Sequence, residues 1–184
     1  HGYEDVYFDE LLKTKPKGVR MHSLNAPGYA KRRHGLGTTN VDCTAVHTLG
    51  AMLGKFFPVQ EGKDAYAKLS GLITEQLGVR GFSAERIALV FGSFWWQARL
   101  FKRPLAASSV KTVIAADSEE KALAFACRSL GIRFVELQHG VLNPLDPLCL
   151  PAIALRQASA QALLLPDALA LYGNYWTERH AKTA

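Results

Sequence analysis

Residues 110–140 read VKTVIAADSEEKALAFACRSLGIRFVELQHG, and this stretch decides the fold. The near-continuous apolar run Val110–Ala116 is typical of a strand that is covered on both faces in a parallel sheet. Asp117 and the acidic residues after it match a capping box at a helix start, and Gly131 marks the end of that helix. A second apolar run, Ile132–Gln138, predicts the next strand.

A strand, a helix and a strand joined by short connections predict a parallel α/β unit, because a right-handed crossover returns the chain to the same sheet. A third short strand is predicted at Ala168–Tyr172, after Pro166 and Asp167, with a helix beginning near Asn174. The expected fold class is α/β, with a Rossmann-like parallel sheet flanked by helices. By its length, the chain is expected to form a single α/β domain over residues 1–184.

The first half of the chain is predicted to be mainly helical. A short apolar run, Val19–Ser23, predicts a strand. Apolar residues then recur at helical spacing over three stretches, which run from Asp42 to Pro58, from Asp64 to Leu77 before Gly78, and from Ser83 to Pro104. The third stretch contains Trp95 and Trp96, and adjacent tryptophans more often pack in a core or an interface than form a ligand platform.

The composition is ordinary for a soluble globular chain. The 184 residues are 48% hydrophobic and 21% charged, which is too apolar for a disordered protein. The longest apolar run, Ile87–Trp96, is shorter than the roughly 20 residues that a membrane-spanning helix needs. Three widely spaced cysteines and the lack of an export signal fit a cytoplasmic setting, and a start at His1 indicates a processed end or an excised fragment.

The net charge of +6 is densest at Lys31–His34. Such a cluster favours contact with phosphates or an anionic membrane surface, and a solvated basic loop explains it equally well. A single cluster without a recognised module does not predict nucleic-acid binding. The basic end of the helix that carries Trp95 and Trp96 leaves a peripheral position on the inner membrane face open.

The candidate site residues follow the predicted strands. In open parallel sheets, ligands bind beyond the carboxyl ends of the strands. His139 is the candidate general base, because imidazole titrates near neutral pH, although a histidine that only caps the sheet through backbone bonds fits the spacing equally well. The candidate substrate-binding residues are Asn25, Arg32, Arg33, Asp117, Glu119, Gln138, Gly140, Asn143 and Asn174.

Other chemistry is weakly indicated. Glu136 lies inside a predicted buried strand, so it is either near the strand end and functional or neutralised by a basic partner. A partner is favoured, since buried charges are usually paired. Cys43 and His47 are spaced like two metal ligands on a helix, but no second pair stands at a recognisable spacing. We therefore expect no metal and no cofactor.

The segment Phe134–Leu142, which contains Gln138-His139-Gly140, resembles bacterial GT-B-type glycosyltransferases of capsule and surface-polysaccharide assembly. In that family a Gln-His-Gly motif is followed by a second signature, which here reads Leu165-Pro166-Asp167 and continues to Trp176. The resemblance covers roughly residues 82–179. Similar His-Gly loops occur in related polyol-phosphate polymerases, where the histidine acts as a base, and that role carries over to His139 alone.

The resemblance implies one half of a GT-B architecture, in which two Rossmann-like halves face each other across a cleft. The first half meets a glycan or glycolipid acceptor, and the second half binds the nucleotide-sugar donor. This chain ends shortly after Trp176, where the donor half would begin, so we expect an acceptor-side domain that is inactive by itself and tends to self-associate.

Two other classes of function remain open. The first is a non-catalytic α/β module that binds a phosphorylated small ligand at the same strand ends. The second is a peripheral membrane or partner-docking domain that uses the helix with Trp95 and Trp96. A donor-binding domain encoded beyond Ala184 would separate the glycosyltransferase hypothesis from the first of these, and selective binding to lipid vesicles would support the second.

Overall fold

The computed structural model shows a mixed α/β protein with a small parallel three-stranded sheet flanked by helices. The structure describes residues 19–22, 39–59, 61–79, 81–115, 120–137, 164–175 and 177–178. The chain divides into two compact units, His1–Gln97 and Ala98–Ala184. Whether they act as one domain, as the length predicts, stays a prediction.

Two short parallel strands begin the first unit. Strand β1 (Val19–His22) confirms the predicted strand, and it pairs with β2 (Thr39–Asp42) so that His22 lies opposite Asp42. Strand β2 was not predicted. Its four residues include one large apolar residue, Val41, so neither an apolar run nor an alternating pattern distinguishes it from a loop.

Three helices follow, and their ends agree closely with the capping signals in the sequence. They are α1 (Thr44–Phe56), α2 (Lys63–Leu77) and α3 (Ala84–Ala106). Helix α2 ends at Gly78, whose φ of 64° suits a residue without a side chain. Before α3, the Ser83 hydroxyl oxygen accepts a hydrogen bond from the Arg86 N–H at 3.3 Å, as expected of an N-cap.

Helix α3 extends past the predicted stop at Pro104. Proline lacks an N–H group, so it removes one hydrogen bond, but in the last turn of a helix the remaining bonds still close. Ala107 N–H donates to the Arg103 carbonyl at 3.1 Å. The extra turn also buries Leu105, which is 5% exposed, and this burial offsets the lost bond.

Helices α1 and α3 approach each other at glycines. A Cβ atom added to Gly54 would lie 2.5 Å from the Ser93 nitrogen and 2.7 Å from the Gly92 carbonyl carbon, and one added to Gly92 would lie 3.2 Å from the Gly54 oxygen. Gly50 lies one turn earlier on α1 and faces Gln97. The two helices therefore pack backbone against backbone at this crossing.

The second unit contains the three-stranded parallel sheet. Its strands are β3 (Thr112–Ala115), β4 (Arg133–Leu137) and β5 (Ala168–Ala170), and β4 lies between the other two. Helix α4 (Lys121–Ser129) connects β3 to β4 and packs against β4. The unit's core is formed by side chains of α3, α4 and β4, namely Phe101, Leu105, Leu123, Ala126, Cys127 and Phe134.

The end of α4 is a Schellman motif. Gly131 has a φ of 66° and donates its N–H to the Arg128 carbonyl at 3.2 Å, while Ile132 N–H donates to the Cys127 carbonyl at 2.9 Å. This confirms the predicted stop at Gly131. The predicted start was wrong, because the N-cap of α4 is Glu120, with no side-chain cap bond, rather than Asp117.

Candidate functional site

The three parallel strands of the second unit end at one edge of the sheet. Ala115 of β3 lies opposite Glu136 of β4, and Leu137 of β4 lies opposite Ala170 of β5. Parallel strands direct their carboxyl ends to the same side of the sheet, so Ala115, Leu137 and Ala170 lie on that side. In the sequence, the Gln-His-Gly motif follows Leu137 at the end of the middle strand.

Asn174 is the one candidate site residue within the described part of the chain. It is exposed and begins a helical turn shortly after β5. Gly173, with a φ of 96°, makes the sharp turn, and its carbonyl accepts the Thr177 N–H at 3.3 Å. Tyr172 and Tyr175 beside it are 56% and 63% exposed. Asn174 is therefore accessible at the end of β5.

The other candidate residues lie outside the residues that the structure describes, so their clustering stays a prediction. This holds for the candidate base His139 and, at the ends of the strands, for Asp117, Glu119, Gln138, Gly140, Asn143, Asn25, Arg32 and Arg33. The basic cluster Lys31–His34 and Trp176 lie outside them as well.

Glu136 lies near the carboxyl end of the middle strand. It is 7% exposed and sits between Ala115 of β3 and Leu169 of β5 in the sheet register. The predicted burial of this carboxylate is confirmed. Its basic partner stays a prediction.

The second signature has a structural role that the sequence analysis missed. The Asp167 Oδ2 atom accepts the Phe134 N–H at 2.7 Å, and the Asp167 N–H donates to the Phe134 carbonyl at 2.8 Å. The Arg128 guanidinium donates to the Leu165 carbonyl at 2.7 Å. These bonds lie at the amino ends of β4 and β5, so Asp167 fastens the two strands on the side opposite the candidate site. The sequence signal for this role is an aspartate that follows a proline and directly precedes a strand, because such an aspartate often forms hydrogen bonds with nearby backbone groups.

Cys127 is part of α4 and is fully buried in the core. Burial raises the pKa of its thiol from 9.0 to about 12, and the negative charge of Asp167 adds to the shift. A thiol with such a pKa stays protonated at neutral pH and is a poor nucleophile. We therefore assign Cys127 to the core.

A row of polar side chains in hydrogen-bond contact lies between α1 and α3 in the first unit. His47 Nδ1 and Gln97 Oε1 are 3.3 Å apart, and Gln97 Nε2 donates to the Ser93 hydroxyl at 2.9 Å. Because Gln97 Oε1 is an acceptor, this arrangement assigns the proton to His47 Nδ1. Among the described side chains, no three histidine, cysteine, aspartate or glutamate residues are arranged to hold a metal ion.

The contacts of Trp95 and Trp96 support the packing interpretation. The Trp96 indole N–H donates to the Phe57 carbonyl at 3.0 Å, and its ring meets the Phe57 ring edge to face at 6.4 Å. Trp95 stacks on Phe91 at 6.5 Å. Both tryptophans are half-buried within the first unit, where they hold the end of α1 and the middle of α3.

Comparison with known proteins gives no relative. No family model, no curated protein and no solved structure matches the chain. Within the residues that the structure describes, every helix is too short or too polar to cross a lipid bilayer.

Proposed function

We propose that this chain supplies acceptor binding and a catalytic histidine, His139, to the transfer of a sugar from a nucleotide-sugar donor in surface-polysaccharide synthesis. The observation that carries the proposal is the order of the sheet. The Gln-His-Gly motif follows Leu137 of the middle strand in the sequence, and the strands that end at Ala115 and Ala170 flank that strand. Three polar segments from neighbouring parallel strands are the usual setting of a ligand site in an α/β protein.

In this mechanism His139 removes the proton from an acceptor hydroxyl as that oxygen attacks the anomeric carbon of the donor. The bond from this carbon to the phosphate oxygen breaks, and the nucleotide leaves with the electron pair. A base with a pKa near neutrality is suited to this step. Gly140 lets the acceptor approach the backbone. Hydrogen bonds to acceptor hydroxyls come from the polar residues around it, namely Asp117, Glu119, Gln138, Asn143 and Asn174. Contacts with anionic groups of the substrates are proposed for Asn25, Arg32 and Arg33.

The hydrogen bonds at the amino ends of β4 and β5 support this assignment. A catalytic group contributes most when its supporting elements are rigid. The two hydrogen bonds between Asp167 and Phe134 hold β4 and β5 together at their starts. The strand that leads into the Gln-His-Gly motif therefore has a fixed register against its neighbour.

The test of the base is His139→Ala in the intact enzyme. The assay measures release of nucleotide from UDP-, GDP-, TDP- and CMP-activated sugars in the presence of oligosaccharide acceptors. A positioned acid or base contributes about 100-fold or more, so turnover should fall by at least that factor. His180→Ala is the control, since it replaces a histidine with no assigned role. Full turnover in a folded His139→Ala protein, judged by circular dichroism, would reject the role of His139.

The division between acceptor and donor halves is tested by calorimetric titration of the 184-residue chain with the same nucleotide sugars. We expect a Kd in the millimolar range or weaker, about −4 kcal/mol. Micromolar binding would place the donor site in this chain and reverse the assignment. Tight binding of a phosphorylated ligand without any turnover would favour the non-catalytic module instead.

A further inference from the structure

Two tyrosines are exposed just beyond the carboxyl end of β5. Tyr172 is 56% and Tyr175 63% exposed, and along the chain they flank Gly173 and the exposed Asn174. Large aromatic side chains usually bury most of their surface. Here two of them are displayed on the side of the sheet where parallel α/β proteins bind their ligands. We call the four residues Tyr172–Tyr175 the tyrosine turn.

The backbone of the tyrosine turn is held by hydrogen bonds on both sides of Gly173. The Gly173 N–H donates to the Leu171 carbonyl at 2.8 Å, which closes a three-residue turn around Tyr172. The Gly173 carbonyl accepts the Thr177 N–H and the Thr177 hydroxyl, each at 3.3 Å. The two tyrosines are therefore presented by a backbone whose shape is fixed before any ligand binds, which lowers the entropic cost of binding.

The composition and spacing of the tyrosine turn suit a sugar. The Cα atoms of the two tyrosines are at most about 11 Å apart, because three residues separate them, and one or two pyranose rings span such a distance. An aromatic ring has a negative face, against which the C–H groups of a pyranose pack. The amide of Asn174 donates and accepts hydrogen bonds, as the hydroxyl groups of a sugar do. Aromatic surface with a few orienting polar groups is the usual composition of a small-molecule site.

The charge near the tyrosine turn argues against a nucleotide as its occupant. Among the residues that the structure describes after β5, namely 171–175 and 177–178, Glu178 is the one charged side chain, and it is exposed. Phosphate groups are usually bound by arginine or lysine, and a carboxylate repels them. An uncharged sugar meets no such repulsion, so the tyrosine turn favours a neutral saccharide.

We propose that the tyrosine turn binds a neutral sugar ring of the acceptor, which stacks on Tyr172 and Tyr175 and exchanges hydrogen bonds with Asn174. This inference rests on the acceptor-side role proposed above, to which it adds the two tyrosines and an uncharged sugar unit. The bound ring is a part of the acceptor that does not react. The tyrosines therefore contribute to acceptor binding and not to the chemical step.

NMR of the full chain with isotope-labelled tyrosine rings tests this binding. The probes are the methyl glycosides of glucose, galactose, mannose and N-acetylglucosamine, titrated into the millimolar range. We expect at least one of them to shift the ring signals of Tyr172 and Tyr175. Tyr175→Ala should weaken that binding roughly two- to tenfold, the value of one aromatic contact, whereas Tyr175→Phe keeps the ring and should bind as the original chain does. Phe56→Ala is the matched control, because Phe56 is 66% exposed in the first unit and its replacement should leave sugar binding unchanged.

Three results of these titrations would overturn the proposal. The first is that no methyl glycoside shifts either tyrosine signal, and the second is that Phe56→Ala weakens binding as much as Tyr175→Ala. The third is that UMP or CMP shifts the two tyrosine signals while the methyl glycosides do not, which would assign the tyrosine turn to a nucleobase. Both tyrosines are exposed, so their replacement should preserve the fold, which circular dichroism checks.

Acceptor kinetics of the intact enzyme separate this inference from the proposed function. Tyr172→Ala and Tyr175→Ala should raise the acceptor KM more than they lower kcat, because a contact that is equally strong in the ground state and the transition state contributes to binding alone. Sugar transfer with an unchanged acceptor KM in both variants would refute the tyrosine turn and leave the proposed function intact. Sugar binding at the tyrosine turn without any sugar transfer would support the tyrosine turn and refute the proposed function.

Discussion

At the crossing of α1 and α3, replacing glycine by alanine should destabilise the protein, which is the opposite of the usual effect inside a helix. Replacing glycine by alanine inside a helix normally stabilises it by about 1 kcal/mol. At Gly54 the added Cβ would lie 2.5 Å from the Ser93 nitrogen, whereas non-bonded atoms prefer about 3.5 Å. The two helices would therefore have to separate by about 1 Å, and because the obstacle is backbone, no side chain can turn away.

The magnitude follows from two opposing effects. Overpacking of this kind costs about 1–3 kcal/mol, occasionally more. Because the obstacle is backbone, the upper part of that range applies, about 2–3 kcal/mol. After the helix-propensity gain of about 1 kcal/mol is subtracted, we expect Gly54→Ala to lower the free energy of unfolding by about 1–2 kcal/mol. In a chain of this size that corresponds to a Tm lower by about 2–8 °C.

Gly71 provides the matched control. It lies within α2, and a Cβ atom added there meets nothing within 4 Å. Gly71→Ala should therefore raise the free energy of unfolding by about 0.5–1 kcal/mol. The assay is urea unfolding followed by far-ultraviolet circular dichroism for both variants. The reasoning is refuted if Gly54→Ala is as stable as the original chain, or if both substitutions change stability in the same direction.

Three further predictions concern hydrogen bonds and burial. Asp167→Ala should lower the free energy of unfolding by about 1.5–3 kcal/mol, because it removes the charged acceptor of the Phe134 N–H. Urea unfolding measures this change. Asp167→Asn keeps an acceptor oxygen and should therefore lower the free energy of unfolding by less. Ser83→Ala should lower the free energy of unfolding by about 1 kcal/mol, because it removes the N-cap of α3. It should also raise the pKa of Glu85, which the hydrogen bond with the Ser83 hydroxyl lowers. NMR titration of the Glu85 carboxyl group measures this pKa, and an unchanged value would contradict the hydrogen bond. Burial raises the pKa of Cys127 to about 12, so the folded state favours the protonated thiol. The contribution of this thiol to stability should be complete below pH 9 and should decline as the pH rises towards 12. A thiol reagent at about pH 8 should not label Cys127 until the chain is unfolded, and rapid labelling of Cys127 in the native protein would contradict its burial.

The sequence predicted those elements whose ends carry a local chemical signal. Gly78 and Gly131 end their helices because a positive φ suits glycine, and Ser83 begins one because its hydroxyl accepts a backbone N–H. Features decided by distant contacts were missed. Strand β2 depends on pairing with β1, and the turn beyond Pro104 depends on the burial of Leu105. Neither leaves a periodic pattern.

The same distinction holds for the candidate site. The parallel pairing of β3 with β4 followed from the order of apolar runs, because a short helical connection encodes strand direction and adjacency. The structural role of Asp167 did not, since it requires knowing that Phe134 is its neighbour. The glycines at 50 and 54 did offer a signal, because small residues four apart allow two helices to approach closely, but it was not used.

The hydrogen bonds of Asp167 influence which positions of the chain can be substituted without loss of stability. The bonds from Asp167 to Phe134, from Arg128 to Leu165 and from Arg133 to Lys111 all lie at the amino ends of the strands. Residues at the opposite edge can therefore be replaced without removing any of them. The proposed function assigns substrate choice to that opposite end, so variants with new specificity could accumulate there while the amino ends maintain the fold.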